Sequence, residues 1–351
     1  MDQNEPVEPI VPAPKERILW MDALGAVAMF GVVLIHTNLR ALDADSSFAW
    51  HLLLAGCGYW AVPAFFMLTG ARLMGYRERY GTKEFFAKRF KKTMIPWVSW
   101  SLLIFLVYAA IGTFGTFKPL PLAMYFLWSS FGCWLQPNYW FFIPLFGVYL
   151  CIPLLSRLKE RRLLLWCIAG ALLAFGMVLR LLPLPFPKSD DLRFPLSGYL
   201  GYAILGYLLS TGQTKRAVRA AIYCLSLCGA VLIYGYILRD TLRSGELDMG
   251  LLNYQNPPVA LLGVSGFLLF RQIRWERLFR GQRSVSALSQ VSACGMGTYL
   301  IHWFPLLLAY TAVPNSIDAQ WCLLTALLVY AVSVPLVWGM RKVPVLRALV
   351  P

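Results

Sequence analysis

Apolar residues run through this chain in blocks of about twenty, separated by short stretches where Lys and Arg collect. A helix rises ~1.5 Å per residue, so about twenty apolar residues cross a bilayer core of ~30 Å. About ten blocks meet this measure: residues 18–38, 51–70, 94–113, 138–156, 163–182, 194–211, 218–238, 251–270, 293–313 and 320–340. A further stretch, 115–137, is aromatic but broken by Pro119, Pro121 and Pro137, and suits an outer re-entrant or interfacial piece. The expected fold class is therefore all-α: a polytopic membrane protein with about ten transmembrane helices and one outer re-entrant or interfacial segment. Residues 1–15 are acidic and proline-rich and read as a disordered cytoplasmic tail, leaving 16–351 as one transmembrane domain. The start is acidic where a secretory signal needs a basic region, so the first block reads as a retained anchor. No fixed-period repeat and no soluble domain are visible.

The first block, ILWMDALGAVAMFGVVLIHTN, has only Asp22 and His36 as ionisable residues. They stand fourteen residues apart, about four helical turns, and so point to nearly the same face. Ionisable groups are costly in lipid, so that face should look into protein or a wet cavity. The plainer alternative is that Asp22 caps the helix and His36 sits in a headgroup layer.

Composition agrees with the blocks: 58% of residues are hydrophobic and 14% charged, too apolar for a soluble protein. The formal net charge of +15 raises the question of nucleic acid. Its distribution answers no, because the basic residues cluster between apolar blocks as the positive-inside rule expects. With the N-terminus inside and ten alternating spans, only Arg40, Lys118, Arg180, Lys188, Arg193, Arg239 and Arg243 of the 32 Lys and Arg fall outside. Counting 115–137 as a crossing would reverse every later cluster, so the charge bias selects both termini as cytoplasmic. The eight cysteines lack ligand spacing and read as small core residues, neither a disulfide framework nor a metal site. This topology puts Asp22 at the cytoplasmic edge, His36 near the outer face and His302 close to the midplane. His51 enters the second span from outside, where a histidine is ordinarily a wetted polar group. A midplane histidine is costlier to bury, which draws attention to His302.

Five segments stand in order along the chain: Trp20 to Gly25 (WMDALG) running on to Leu34–His36 (LIH), Val62 to Gly70 (VPAFFMLTG), the basic Phe85 to Trp97 (FFAKRFKKTMIPW), Asn138 to Phe142 (NYWFF) with Tyr149 and Pro153, and Gly297 to His302 (GTYLIH). Together they resemble the acyltransferase family 3 integral membrane acyltransferases. The resemblance implies transfer of an acyl group from cytoplasmic acyl-CoA, with acetyl-CoA the expected donor and no metal. The implied acceptor is a hydroxyl of a saccharide or lipid-linked envelope glycan, at the outer side of a bacterial inner membrane. The family's essential histidine matches His36. The same match marks Tyr139, Trp140, Tyr299 and His302 as substrate-binding or oxyanion residues. Two positions depart from the pattern: Gly25 and Tyr59 stand where the family usually has arginines. The intramembrane face is then expected to rely on Tyr, Trp and backbone donors.

Acyl transfer to a hydroxyl needs a base, donors for the oxyanion and a grip on CoA. Neutral His36 can be the base, or can take the acyl group covalently, and the sequence leaves both open. The cytoplasmic clusters offer Lys88, Arg89, Lys91, Lys92, Arg274 and Arg277 to CoA phosphates, although positive-inside anchoring alone accounts for such clusters. Membrane lipid is the other expected partner, and a homo-oligomer stays among the options. Two rival functions remain. One is a lipid or glycan flippase or transporter. Ion-coupled carriers keep carboxylates in mid-membrane and none lies deep in a span here, which leaves a passive flippase. The other is an inactive relative acting in envelope assembly.

Overall fold

The computed structural model describes residues 18–38, 48–111, 122–131, 135–181, 198–245, 249–312 and 319–351. The tail 1–15 and much of 115–137 lie outside these. Among the described residues every regular element is helical. In chain order they are α1 (Leu19–Asn38), α2 (Phe48–Gly56), α3 (Ala61–Leu73), α4 (Thr82–Arg89), α5 (Ile95–Ala110), α6 (Leu122–Phe131), α7 (Phe142–Leu155) and α8 (Arg162–Leu181). Then follow α9 (Gly198–Thr211), α10 (Arg216–Ser244), α11 (Pro257–Gln272), α12 (Trp275–Leu278), α13 (Gln282–Ile301), α14 (Trp303–Ala312), α15 (Ala319–Met340) and α16 (Pro344–Arg347).

Among the described residues, six stretches are long and apolar enough to cross a bilayer: 19–38, 48–78, 82–110, 137–158, 216–244 and 320–340. α13 and α14, bent by 61° at their junction, add a seventh when taken as one span. The three other expected spans fall on α8, α9 and α11, whose apolar windows are shorter. The chain is an all-helical membrane protein.

α1 is its axis. Of α1's apolar window 67% is buried, against 17% for α10 and 28% for α15. α10 and α15 turn Leu227, Val231, Leu232, Leu328 and Val332 outward, as lipid-facing helices do. α1 is wrapped by α2, α3, α11, α13 and α15. Small residues let backbones meet, the usual device where lipid removes the hydrophobic drive between helices. At the α3–α9 crossing, a Cβ on Gly70 would stand 1.7 Å from the Ala203 carbonyl oxygen, and one on Gly206 1.9 Å from that of Met67. Adding even one methylene to a packed core costs ~1–3 kcal/mol, and here the obstacle is backbone, which cannot turn aside. Gly70→Val should therefore lose the folded protein, read as loss of the monodisperse peak after detergent extraction. Gly235→Ala, whose Cβ meets nothing within 4 Å, should leave that peak intact.

Several boundaries differ from the apolar blocks, each for a physical reason. The third span starts at Thr82, because the basic stretch is helical. Pro96 has no N–H for the turn before it, and the helix widens there into a π turn over Phe90–Met94. The second block breaks over 57–60, where a Cβ on Gly58 would stand 2.5 Å from the Gly31 carbonyl oxygen. The eighth begins only at Pro257, which together with Pro258 sets the first helical turn. The ninth begins at Gln282 and not near 293. Its first half is Ser- and Gln-rich and carries no apolar signal, yet it packs along α1.

Candidate active site

At the end of α1, His36 Nδ1 lies 2.7 Å from His302 Nε2. The two rings are within 14° of parallel, with centroids 4.9 Å apart. His36 is 9% exposed and His302 fully buried. The bend between α13 and α14 puts His302 on the last turn of α13, where its Nδ1 meets the carbonyl oxygens of Tyr299 at 2.7 Å and Thr298 at 3.2 Å.

These partners assign the tautomers. A carbonyl oxygen only accepts, so His302 Nδ1 carries the proton and donates. His302 Nε2 then holds the lone pair and accepts from His36 Nδ1–H. His36 Nε2 is left with the lone pair, the form a general base or nucleophile needs. The arrangement follows the logic of a catalytic triad, in which a third group fixes the tautomer of the base.

This corrects the depth read from the sequence. His302 is level with His36 and not nearer the midplane, because α13 starts earlier and ends at the bend. His51 is likewise no wetted interface group. It is fully buried, and its Nδ1 faces Asn38 Oδ1 at 3.1 Å. Asn38 in turn donates from Nδ2 to the Leu34 carbonyl at 2.7 Å, and Tyr310 donates to the carbonyls of His36 and Thr37. The last turn of α1 is thus braced on three sides.

The other end of α1 is tied as firmly. Asp22 accepts from Ser289 at 3.0 Å, Ser292 at 3.1 Å and Arg72 at 3.1 Å, and Arg72 also donates to the Met21 carbonyl. Ser289 and Ser292 precede His302 on α13 as Asp22 precedes His36 on α1, so the two helices run parallel. Arg72, near the end of α3, shows that α3 runs the opposite way. Nothing in the apolar pattern flagged these serines, although their i,i+3 spacing on one helical face is a readable signal.

Of the residues matched by resemblance, Tyr139 donates to the Leu300 carbonyl at 2.9 Å, and Tyr299 donates to the Asn138 carbonyl. The two hydroxyls thereby lock the 3₁₀ turn Pro137–Phe141 to α13. Trp140 stacks on Tyr254 (5.5 Å between centroids), and Tyr254 on Tyr59 (5.2 Å). Tyr59 therefore supplies an aromatic surface where the family pattern has a cation. At Gly25 a Cβ would already meet Ser292 Oγ at 3.3 Å, so α13 fills the space of the other missing arginine.

The basic candidates lie on α4, in the π turn that follows it, and at α12. Lys88 pairs with Glu84 at 2.6 Å and covers the Tyr80 ring, while Arg89 lies over Tyr149 of α7. Lys92 sits exposed in the π turn. Arg274 and Arg277 are exposed at α12, which packs near α1.

The family model described as an acyltransferase domain matches residues 18–340, nearly the whole described bundle. The chain belongs to acyltransferase family 3. The family 3 match takes in both histidines of the relay and every candidate site residue named above. No curated protein and no solved structure matches this family 3 chain significantly. As a family 3 protein with an all-helical apolar bundle, it is a membrane acyltransferase.

Proposed function

We propose that the protein is an O-acetyltransferase that carries an acetyl group from cytoplasmic acetyl-CoA to a hydroxyl of an envelope saccharide or lipid-linked glycan. The observation that carries this reading is the relay from the Tyr299 carbonyl through His302 to His36, which presents the lone pair of His36 Nε2. In the reaction the acceptor hydroxyl gives its proton to Nε2 as its oxygen attacks the thioester carbonyl carbon. The C–O bond forms, the C–S bond breaks, and the thiolate leaves with the proton from His36 as CoA thiol. Tyr139 and Tyr299 act by positioning the 3₁₀ turn against α13, and Trp140 with Tyr254 and Tyr59 offers an aromatic wall for the acceptor. The motifs are similar to those of the O-acetyltransferase of enterobacterial common antigen, which favours a bacterial inner-membrane enzyme with an outer glycan acceptor.

Sidedness follows from charge. Ten spans with both termini cytoplasmic put the Asp22 end and the basic residues inside and the histidine pair outside. CoA phosphates then meet Lys88, Arg89, Lys92, Arg274 and Arg277, since phosphates need several cations at once.

The test is acetyl transfer by the purified protein in liposomes, with labelled acetyl-CoA added on the side where a cysteine at Lys83 reacts with an impermeant maleimide. Labelled glycan is expected from a total envelope glycan extract. The double variant Arg89→Gln, Lys92→Gln is expected to raise KM for acetyl-CoA more than it lowers kcat. Folded protein that neither transfers nor hydrolyses the donor would point to the inactive relative.

A further inference from the structure

Directly along the bundle from the histidine pair is a small cavity of about 60 Å³ with an apolar lining. Its walls come from Met29 and Val32 of α1, Gly295, Met296 and Tyr299 of α13, Val62 and Phe65 of α3, and Phe141. The helix register ties it to the relay. Met29 and Val32 stand seven and four residues before His36, and Gly295 and Tyr299 seven and three before His302. At these spacings each set lies on the face that carries its histidine. The cavity therefore continues the groove between α1 and α13 from the histidines toward the Asp22 end, the direction from which the donor arrives.

A second observation is independent of the first. Asn138 is 8% exposed, and its Nδ2 has no hydrogen-bond partner among the described residues. A buried amide donor left unpaired costs stability, so a group that accepts from it would be held firmly. In a 3₁₀ turn residues i and i+3 eclipse, so Asn138 shares a face with Phe141, a wall of the cavity. Tyr299, another wall, donates to Asn138's own carbonyl.

We propose that this cavity receives the acyl group of the donor thioester, with Asn138 Nδ2 donating to its carbonyl oxygen and Gly295 and Met296 setting the acyl length. The inference rests on the acyltransferase reading above and deepens it. An accessible space of about 60 Å³ is small, which suits a short acyl group better than a long chain. The apolar lining suits its methyl. As the acceptor oxygen adds, the carbonyl oxygen becomes an oxyanion, and Asn138 stabilises it until the C–S bond breaks. Gly295 leaves open space at its Cβ position, so a side chain there would enter the cavity, and shortening Met296 would enlarge it.

The experiment measures CoA thiol release from acetyl-, propionyl- and butyryl-CoA by the full-length protein in liposomes with a total envelope glycan extract. Wild type should prefer acetyl over propionyl by about tenfold or more, the usual discrimination per added methylene, and over butyryl by more still. Met296→Ala should shift the butyryl-to-acetyl ratio of kcat/KM upward by about tenfold, and Gly295→Val should lower acetyl turnover. Gly295→Ala serves as the milder filling variant where valine reduces the yield of folded protein. Asn138→Leu should lower kcat by about 10²–10³-fold, as loss of one oxyanion donor does, while KM for acetyl-CoA stays within twofold. Active, folded variants with an unchanged donor ratio would overturn the acyl cavity while leaving the acyltransferase reading intact. Wild-type protein that releases no thiol from any donor would overturn both. An unchanged kcat in Asn138→Leu would remove Asn138 from the oxyanion role and, with it, the proposal as stated.

Discussion

His36→Gln and His36→Ala are expected to lower acetyl transfer by about 10²–10⁴-fold, the usual contribution of a positioned general base. Gln keeps the length and hydrogen bonding of the side chain but holds no basic lone pair, so it should fail as fully as Ala. Folding should survive either change. His36 Nδ1 donates to one partner, His302 Nε2, and the surrounding turn is held through backbone carbonyls by Tyr310 and Asn38, which the substitutions leave in place. Turnover is to be measured on variants that keep the wild-type elution profile. Wild-type turnover in His36→Gln would make the residue structural and end the proposed mechanism.

The second large effect is expected at His302, as a positioning residue. His302→Ala removes the acceptor that fixes the His36 tautomer and should cost about 10²-fold or more, since loss of the orienting group in a triad is similarly severe. His302→Gln offers an amide N–H toward the Tyr299 carbonyl and an amide oxygen toward His36 Nδ1, the same polarity as the native ring. It should recover a measurable part of the activity lost in the alanine variant. Gln also refills most of the volume that Ala leaves empty at this fully buried position, so the relay is read from kcat recovered beyond what the recovered thermal stability accounts for. Equal activity of the two variants in kcat, with equal thermal stability, would argue against the relay.

The elements of the fold were legible wherever apolarity alone decides them. The blocks at α1, α7, α10 and α15 match their helices closely, because each must present a long apolar surface. Legibility failed where a helix is polar on purpose. The first half of α13 is rich in Ser and Gln, so its start was read about three turns late, and His302 was misplaced in depth. Those serines bind Asp22, a contact between residues far apart in sequence that no window can register. His36 was visible as the polar group near the end of an apolar helix, but its partner was not. The two histidines meet only because α1 and α13 run parallel and α13 ends in a bend. His51 illustrates the opposite error: position at a span entrance suggested water, and Asn38 buries it instead.

A relay that ends on a backbone carbonyl differs in one respect from a triad that ends on a carboxylate. With both rings neutral it has no formal charge, so the resting site asks the bilayer to hold no ion. An anion buried at this depth would carry several kcal/mol of desolvation penalty before any substrate arrived. In the proposed mechanism positive charge forms on His36 only as negative charge forms on the thioester oxygen, and the pair is born together and discharged together. Placing that chemistry inside the membrane is tolerable for a catalyst whose electrostatic load exists only during the event it accelerates. At the 61° bend His302 takes the Tyr299 carbonyl as its partner, and the relay it completes carries no charge of its own.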